Sequence, residues 1–476
     1  MKYVPTIGLE VHAELKTRTK MFCDCLNDPT EKHPNVNICP ICTGHPGTLP
    51  TLNKAAVEAV LKVGMALNGD IPAQSKFDRK NYFYPDLPKG YQISQYDLPL
   101  IFGGVLNGVR LTRIHLEEDT GRLLHADDGA SSLVDYNRAS MPLMELVTEP
   151  DITSADQAAE FARELQLILR YVGASDADME KGQMRVEANV SLRPEDSKEL
   201  GTKVEVKNIN SFKAVHDAIE YEIKRQGELL SSGGKEGKKV VQETRGWDDV
   251  EKITVSQRLK EEAHDYRYFP EPDLPPLDLS HFDLGKLKQA IPELPKEKRA
   301  RFAKEFKLTP EQAEILIQDQ DVAEYFEEVT SELGNKDIGL AFNYLTSDLY
   351  GLLIKNGVGI KQAKITPENF AELIEHVALG RINSRVAKDV LAKMFGTNED
   401  PSDIIKRENL SQVSEEGDLV AVVNKAIADN PAAVADFKKG KENAVQFLIG
   451  KCMAQLKGRG NPAVLQKLIR DLLVKH

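Results

Sequence analysis

The segment Thr6-Ile-Gly-Leu-Glu-Val-His-Ala-Glu-Leu15 alternates between apolar and polar side chains. Successive side chains of a β-strand point to opposite faces, so this pattern predicts a strand with one buried face. The apolar set is Ile7, Leu9, Val11, Ala13 and Leu15, and the polar set is Glu10, His12 and Glu14. Two carboxylates and an imidazole in a row can hold one or two divalent cations. The alternative is the solvated face of an ordinary two-sided sheet.

Two further segments repeat this pattern. In Met184–Leu192 the polar face would carry Arg185, Glu187, Asn189 and Ser191, and in Lys203–Lys207 it would carry Lys203, Glu205 and Lys207. A solvated face more often carries Lys, Thr and Gln. Repeated Glu with interleaved Arg, Asn and His therefore indicates metal and phosphate binding.

A third segment, Arg113-Ile-His-Leu-Glu-Glu-Asp119, brings three consecutive acids to the end of a predicted strand. Strict alternation places Glu117 on the same face as His115. It leaves Glu118 on the apolar face unless a β-bulge redirects that side chain.

The chain of 476 residues is too long for one ordinary core and is expected to form two to four domains. Its 29% charged and 41% hydrophobic residues are typical of a soluble globular protein. No stretch approaches the roughly 20 apolar residues that cross a bilayer. Pro5 and Glu10 precede any signal-peptide core, so a cytoplasmic protein without membrane association is expected.

The pattern changes along the chain from strands with interspersed helices to helices alone, which predicts an α+β protein. Capping-box spacing at Ser154 and Gln157 predicts a helix that ends near Gly173, and a second helix should follow Ser211. Four prolines between 270 and 276 suit a linker. The expected domains are a sheet domain over 1–285, a helical domain over 286–402 and a helical tail over 403–476.

The tail is predicted to end in a helical hairpin, in which Gly458 ends one helix and Asn461-Pro462 begins the next. Its charge differs from that of the rest of the chain. From Lys438 onward there are nine Lys or Arg and two acids, so residues 438–476 carry +7 and the preceding residues −19 of the overall −12. A basic module on an acidic protein is suited to phosphate contacts. The alternative is a solvated helical face.

Four of the five cysteines are clustered as Cys23-x-Cys25 and Cys39-x-x-Cys42. Two close pairs in a reducing compartment predict a tetrahedral zinc site, and four thiolates leave no open position for catalysis. The alternative is four unrelated buried thiols. The common nucleotide-binding signatures, a P-loop, a kinase set and a dinucleotide-binding glycine motif, are absent from the sequence. If this sheet binds ATP, it does so through carboxylate-bound metal ions and basic side chains.

Several long blocks resemble the B subunits of glutamyl/aspartyl-tRNA amidotransferases. They are Ile7-Gly-Leu-Glu-Val-His12, Lys76-Phe-Asp-Arg-Lys-Asn-Tyr-Phe-Tyr-Pro-Asp86, Gly90-Tyr-Gln-Ile-Ser-Gln95, His115-Leu-Glu-Glu-Asp119 and Asp265-Tyr-Arg-Tyr-Phe-Pro-Glu-Pro-Asp273. Residues 450–462 resemble a helical module that the family shares with small stand-alone proteins. The resemblance implies a mixed or antiparallel cradle sheet related to glutamine synthetase and guanidino kinases, followed by an all-α half.

The resemblance also implies a reaction and partners. ATP would phosphorylate the side-chain carboxylate of Glu-tRNA(Gln), Asp-tRNA(Asn) or both, and ammonia would then displace phosphate. An amidase A subunit would release that ammonia from glutamine, and a small C subunit would complete a heterotrimer. The implied cofactors are ATP, Mg²⁺ and a structural Zn²⁺.

Matching the family's motifs to this chain gives candidate residues for each role. The metal ligands of first choice are Glu10, His12 and Glu118, followed by Glu117, Glu187 and Glu205. The candidates for ATP or the acyl phosphate are Lys80, Lys89, Arg185 and Arg267, with Glu187, Asn189 and Glu205 also near the nucleotide. Glu118 ranks above Glu117 because the family uses the second acid of this motif. Cys23, Cys25, Cys39 and Cys42 would hold zinc.

Two other functions remain open at this point. A non-catalytic tRNA-binding scaffold would carry the same acids merely as surface. A free-standing ammonia-dependent ligase would act on a small carboxylic acid and need no tRNA.

Overall fold

The computed structural model describes residues 2–125, 131–231, 239–259, 266–397, 399–412, 416–456 and 458–475. Contacts divide the chain into two compact units, Met1–Pro295 and Lys296–His476. Among the described residues, no helix combines the length and the apolar composition that crossing a bilayer requires.

The N-terminal unit is built on a nine-stranded mixed sheet. Its strands are β1 (Tyr3–Glu14), β5 (Ile101–Phe102), β6 (Val105–Leu106), β7 (Val109–Glu118), β10 (Pro142–Thr148), β11 (Met184–Pro194), β12 (Val204–Ile209), β13 (Glu243–Asp248) and β14 (Ile253–Leu259). Eight of them follow the order β14-β13-β12-β11-β1-β10-β7-β5, and β6 pairs with β7. Among the pairings of these nine described strands, that of β12 with β13 is parallel and the others are antiparallel.

Shorter strands form small sheets beside the large one. They are β2 (Gln74–Ser75), β3 (Asp78–Asn81), β4 (Tyr91–Ser94), β8 (Arg122–His125), β9 (Ser132–Asp135), β15 (Phe269–Pro270) and β16 (Leu277–Asp278). Strand β3 pairs with β4 and β15, β2 with β16, and β8 with β9. The helices of this unit are α1 (Lys54–Ala66), α2 (Ala155–Tyr171), α3 (Phe212–Ser231) and α4 (Leu284–Gln289).

One face of the large sheet is packed against helices, because its strands present every second side chain to them. Ile7, Leu9, Val11 and Ala13 are fully buried together with the inward side chains of α2 and α3. The Ser154 hydroxyl accepts a hydrogen bond from the backbone N–H of Gln157 and begins α2 as predicted. The strands and the two helices expected in this region are present.

The C-terminal unit is helical. Its helices are α5 (Pro295–Glu305), α6 (Pro310–Ile317), α7 (Gln320–Glu332), α8 (Ile338–Asn343), α9 (Tyr350–Asn356), α10 (Pro367–Ala378), α11 (Ser384–Thr397), α12 (Pro401–Arg407), α13 (Glu416–Ala428), α14 (Pro431–Lys438), α15 (Asn443–Gln455) and α16 (Pro462–Lys475). A π-helical turn, Tyr344–Leu349, joins α8 to α9. The sheet followed by helices confirms the α+β class.

Two hydrophobic clusters lie within this unit, one between Phe302 and Ile405 and one between Leu419 and Leu473. The second contains the predicted terminal hairpin. Helix α15 packs on α16, and the Asn461 side chain accepts hydrogen bonds from the first turn of α16. Cys452 is fully buried in this hairpin.

Replacing the buried Leu165 of α2 by alanine should lower the free energy of unfolding of the N-terminal unit by about 2–5 kcal/mol, because it removes apolar contacts and leaves a cavity. Trp247, the single tryptophan, is buried in this unit and provides the fluorescence signal for denaturant unfolding. Glu160→Ala on the exposed side of α2 is the control and should have little effect. Equal losses in the two variants would contradict this packing.

Candidate active site and metal-binding clusters

The polar face of the large sheet is organised by strand register. His12 lies opposite Arg185 of β11 on one side and Glu145 of β10 on the other, and Glu145 lies opposite His115 of β7. Glu10 lies opposite Glu187. Because paired residues in an antiparallel sheet point to the same side, four adjacent strands bring their charged side chains together.

The first cluster contains His12, Glu117 and Glu145, whose ligand atoms all lie within 4.8 Å of one another. His12 Nε2 is 3.5 Å from Glu117 Oε1 and 3.3 Å from Glu145 Oε2. The Ser94 hydroxyl donates to the second oxygen of Glu117 at 3.2 Å. One imidazole and two carboxylates form an oxygen-rich set that suits a hard divalent cation.

Burial and charge act in opposite directions on the imidazoles of this cluster. Burial disfavours the protonated form of His12, but the hydrogen bond and charge of Glu145, with the nearby Glu117, outweigh it and raise the pKa to about 9. For His115, burial dominates over the attraction of Glu145 and lowers the pKa to about 4. The two histidines that flank Glu145 therefore differ in charge at neutral pH.

The second cluster contains Glu10, Glu187 and Glu205 from β1, β11 and β12, again with ligand atoms within 4.8 Å of one another. The Lys207 ammonium is 2.8 Å from Glu187, and the Asn189 amide donates to Glu10 at 2.9 Å. Burial and the charges of the surrounding acids raise the pKa of Glu10. Three converging carboxylates with one lysine retain excess negative charge, which suits a cation site.

Lys80 of β3 lies beside the first cluster. Its ammonium is 5.1 Å from the ring centroid of Tyr266 and 5.9 Å from that of Tyr82. Burial opposes protonation, but the charges of Glu117 and Glu145 raise the pKa of Lys80 well above its ordinary value. The same burial raises the pKa of Tyr268 to about 12. A fixed cation is therefore held against the carboxylates by an aromatic wall.

Arg185 belongs to an ion-pair network centred on the buried Asp119. Its Nη2 is 3.2 Å from both Asp119 oxygens, and Arg138 donates to Asp119 Oδ2 from Nε (2.7 Å) and Nη2 (2.6 Å). Glu14 Oε1 is 3.3 Å from Arg138 Nε. Burial acts to raise the pKa of Asp119, but the two guanidinium groups outweigh this effect, and the pKa is lowered. The network orients Arg185 while leaving 38% of its side chain exposed.

The structure separates Glu118 from the two clusters, although it is a first-choice ligand from sequence. Lys89 Nζ lies 2.5 Å from its Oε1 and donates to its Oε2 at 2.6 Å, and the Ile93 backbone N–H donates to Oε1. Glu118 is in neither group of ligands described above. Strand β7 has no bulge between His115 and Glu118, so simple alternation gives Glu117 the cluster position. This geometry favours Glu117 over Glu118 and gives Lys89 an ion-pair partner.

Arg267 has an exposed side chain and a positive φ of 45°. Its carbonyl accepts a hydrogen bond from the Asn81 side chain at 2.9 Å, which fixes the backbone next to Lys80. The structure thus places Arg267 near β3 without a contact to either carboxylate cluster.

Sequence reasoning missed Glu145, which is the acid shared by both histidines. Its signal was present as a single acid in the apolar run Met141-Pro-Leu-Met-Glu-Leu-Val147, because an isolated charge in a buried strand needs partners. Asp119 was noted only as the last of three acids. Its partner Arg138 follows no strand pattern and carries no signal in the sequence.

The four cysteines form a separate cluster in the loops after β1. The Sγ atoms of Cys23, Cys25, Cys39 and Cys42 all lie within 4.8 Å of one another, and Cys39 and Cys42 are 3.9 Å apart. Tetrahedral Zn²⁺ with Zn–S bonds of about 2.3 Å requires sulfur atoms roughly 3.8 Å apart. The cluster could hold a metal such as zinc, and its donor set fits that ion.

Comparison with known proteins gives matches to two family models. The GatB/GatE catalytic domain matches residues 5–283, and the GatB domain matches residues 324–473. Curated relatives that align along the full length are named as the B subunit of aspartyl/glutamyl-tRNA(Asn/Gln) amidotransferase. The protein of Carboxydothermus hydrogenoformans is 46% identical over 100% of this chain and 99% of its own. That of Caldicellulosiruptor saccharolyticus is 47% identical over 100% of both chains.

Replacing Asp119 by asparagine should destabilise the N-terminal unit by about 2–3 kcal/mol, because two guanidinium groups lose their shared carboxylate in a buried site. Solvent contact of Arg138 and Arg185 keeps the loss below that of a fully buried pair. The control is Asp151→Asn, which weakens a bidentate ion pair with the exposed Arg110 and should have little effect. Denaturant unfolding followed at Trp247 measures both, and similar small losses would show that the Asp119 network adds no stability.

Proposed function

The chain belongs to the B-subunit family of aspartyl/glutamyl-tRNA(Asn/Gln) amidotransferases, and on that premise we propose that it activates a tRNA-borne carboxylate with ATP for amidation by ammonia. The observation that carries the proposal is the convergence of acids from β1, β7, β10, β11 and β12 on one face of the sheet. Such a site can bind cations and the phosphates that cations bridge.

Magnesium would be held by the two carboxylate clusters. His12, Glu117 and Glu145 form one set, in which the His12 imidazole would lose its proton as the ion binds, and Glu10, Glu187 and Glu205 form the other. Carboxylate oxygens are the ligands that Mg²⁺ prefers, and both sets leave room for water or phosphate oxygens. Magnesium held by these residues would supply positive charge against the negative charge that develops during phosphoryl transfer.

The carboxylate of Glu-tRNA or Asp-tRNA is a poor electrophile, so its oxygen first attacks the γ-phosphorus of ATP. The bond from phosphorus to the bridging oxygen breaks, ADP leaves, and an acyl phosphate forms. Lys80 and Arg185 are two cations near the first cluster and would stabilise the transferring phosphoryl group. Arg267 and Lys89 are secondary candidates, since Arg267 lies near Lys80 and Lys89 is paired with Glu118.

Ammonia then attacks the acyl carbon. A C–N bond forms, the C–O bond to phosphate breaks, and the nitrogen loses one proton. Only neutral ammonia has the lone pair for this step, and water would hydrolyse the acyl phosphate. The aromatic wall of Tyr82, Tyr266 and Tyr268 around Lys80 limits solvent access to the reacting groups.

Partners follow from the role of the relatives as B subunits. An amidase A subunit would supply ammonia from glutamine, and a small C subunit would complete a heterotrimer. Misacylated tRNA, either Glu-tRNA(Gln) or Asp-tRNA(Asn), would be the substrate. The nine basic residues from Lys438 onward would contact tRNA phosphates, and the cysteine cluster would hold a structural Zn²⁺.

Replacing Glu10 by glutamine or His12 by alanine should lower tRNA-dependent phosphate release by about 100-fold or more in the assembled complex, because the first change removes the charge of a ligand and the second removes a ligand from the site. Glu195→Gln, which removes an acid from an exposed pair with Lys2, is the control and should retain activity. A scaffold without catalytic function predicts unchanged phosphate release in all three variants. ATP turnover with free glutamate alone would instead favour a free-standing ligase.

The double substitution Lys451→Gln and Lys467→Gln in the tail should weaken tRNA binding and reduce the slope of log affinity against log salt by roughly two, since each phosphate contact contributes about one. Both lysines are exposed. The matched control is Lys286→Gln with Lys288→Gln, two exposed lysines of α4.

Truncation after Gln412 should remove the remaining tail contribution. The cut lies beyond Ile404 and Ile405 because both are buried in the first helical cluster. Filter binding at several salt concentrations measures affinity and slope together. Affinity and slope that match the intact chain would exclude the tail as the tRNA-binding module.

A further inference from the structure

Lys20 is a lysine with no exposed surface, and it belongs with Phe22 and Phe77 among the largest fully buried side chains. Lysine is almost never fully buried unless its charge is paired. An uncompensated ammonium in a protein interior is strongly unfavourable. The position of this side chain therefore requires an anion nearby.

The nearest polar groups identify that anion. Lys20 Nζ lies 3.8 Å from Cys42 Sγ and 3.3 Å from the carbonyl oxygen of Tyr136. Within the described part of the chain, no carboxylate oxygen forms an ion pair with Lys20 at 4.0 Å or less. Because a carbonyl carries only a partial charge, Cys42 as a thiolate is the group that can compensate the ammonium.

The charge of a metal-bearing cluster matches this need. Four thiolates around one divalent ion carry a net charge of about −2, which is unfavourable beside the buried Cys23 and Cys42. One ammonium beside the cluster halves that charge and is in turn paired by it. We infer that Lys20 is the built-in counter-ion of the four-cysteine metal cluster, a positioning residue that tunes how tightly the thiolates hold the metal.

The same lysine connects the cluster to the polar face of the sheet. Its ammonium donates to the carbonyl oxygen of Tyr136, and the backbone N–H of the neighbouring Met21 donates to the carbonyl oxygen of Ser140. Arg138 lies between these two anchors and donates to Asp119. Lys20 and Met21 thus hold the 136–140 segment, which supplies one cation of the Asp119 network. This inference goes beyond the proposed amidation chemistry, because it concerns metal binding alone.

The test uses the full chain loaded with one equivalent of Zn²⁺. Lys20→Met keeps the length and apolar stem of the side chain but removes the charge, so zinc affinity in a chelator competition should fall about 10- to 100-fold. The matched control is Lys62→Met, because the Lys62 ammonium donates to a backbone carbonyl, that of Val172, at 2.8 Å. Lys62→Met should leave zinc affinity unchanged.

Thermal stability separates a counter-ion from a packing residue. With zinc bound, Lys20→Met should have a lower Tm than the parent chain. After zinc is stripped under reducing conditions, the difference in Tm between the two chains should become smaller, because the charge of the metal-bearing cluster is then no longer there to be balanced. Equal losses in both states, or an unchanged zinc affinity, would overturn the inference.

A second variant tests the inference if Lys20→Met folds poorly. Lys20→Gln keeps an N–H donor without the charge, and the same loss of zinc affinity is expected. Zinc affinity equal to that of the parent chain would again overturn the inference. Neither readout depends on amidation, so a failure here is distinguishable from a failure of the proposed function.

Discussion

The two-residue period of β1 constrains both the core and the candidate site. Ile7, Leu9 and Val11 are buried under the helices, so Glu10 and His12 must point to the opposite face. A slip of one residue would exchange the two sets, exposing apolar side chains and burying charges. The apolar face thus fixes the register, and the register in turn fixes which acids meet across the strands. Positioning of the polar groups is a consequence of core packing.

Convergence of acids on one face is electrostatically unfavourable without compensation. Within the protein the compensation is distributed, with His12 between Glu117 and Glu145, Lys207 beside Glu187, and Lys80 against the first cluster. These cations are side chains on the strands themselves or on β3, so they are fixed before any ligand binds. A phosphate or cation that enters therefore meets groups already oriented, which reduces the reorganisation needed on binding.

The sequence was sufficient wherever one strand determined the outcome by itself. Alternation predicted the faces of β1, β11 and β12, and capping residues predicted where α2 and α16 begin. It also placed Glu117 on the face of His115, whereas the family motif favoured Glu118. The pattern of a single strand could not predict which residues meet across strands, because the register depends on the whole sheet. Such long-range contacts determine the place of Glu145 between the histidines, the pairing of Arg138 with Asp119 and the parallel pairing of β12 with β13.

Two kinds of ligand set lie in the same unit, and their chemistry keeps them distinct. Thiolates are soft ligands that select zinc-like ions, whereas the imidazole and carboxylate sets suit hard ions with oxygen ligands. Four thiolates would complete a tetrahedron around a zinc-like ion and leave it no open position. Each of the other two sets offers three ligands, so an ion bound there would keep positions for further oxygen ligands. Because the ligand types differ, one domain could bind both kinds of ion without competition between the sites.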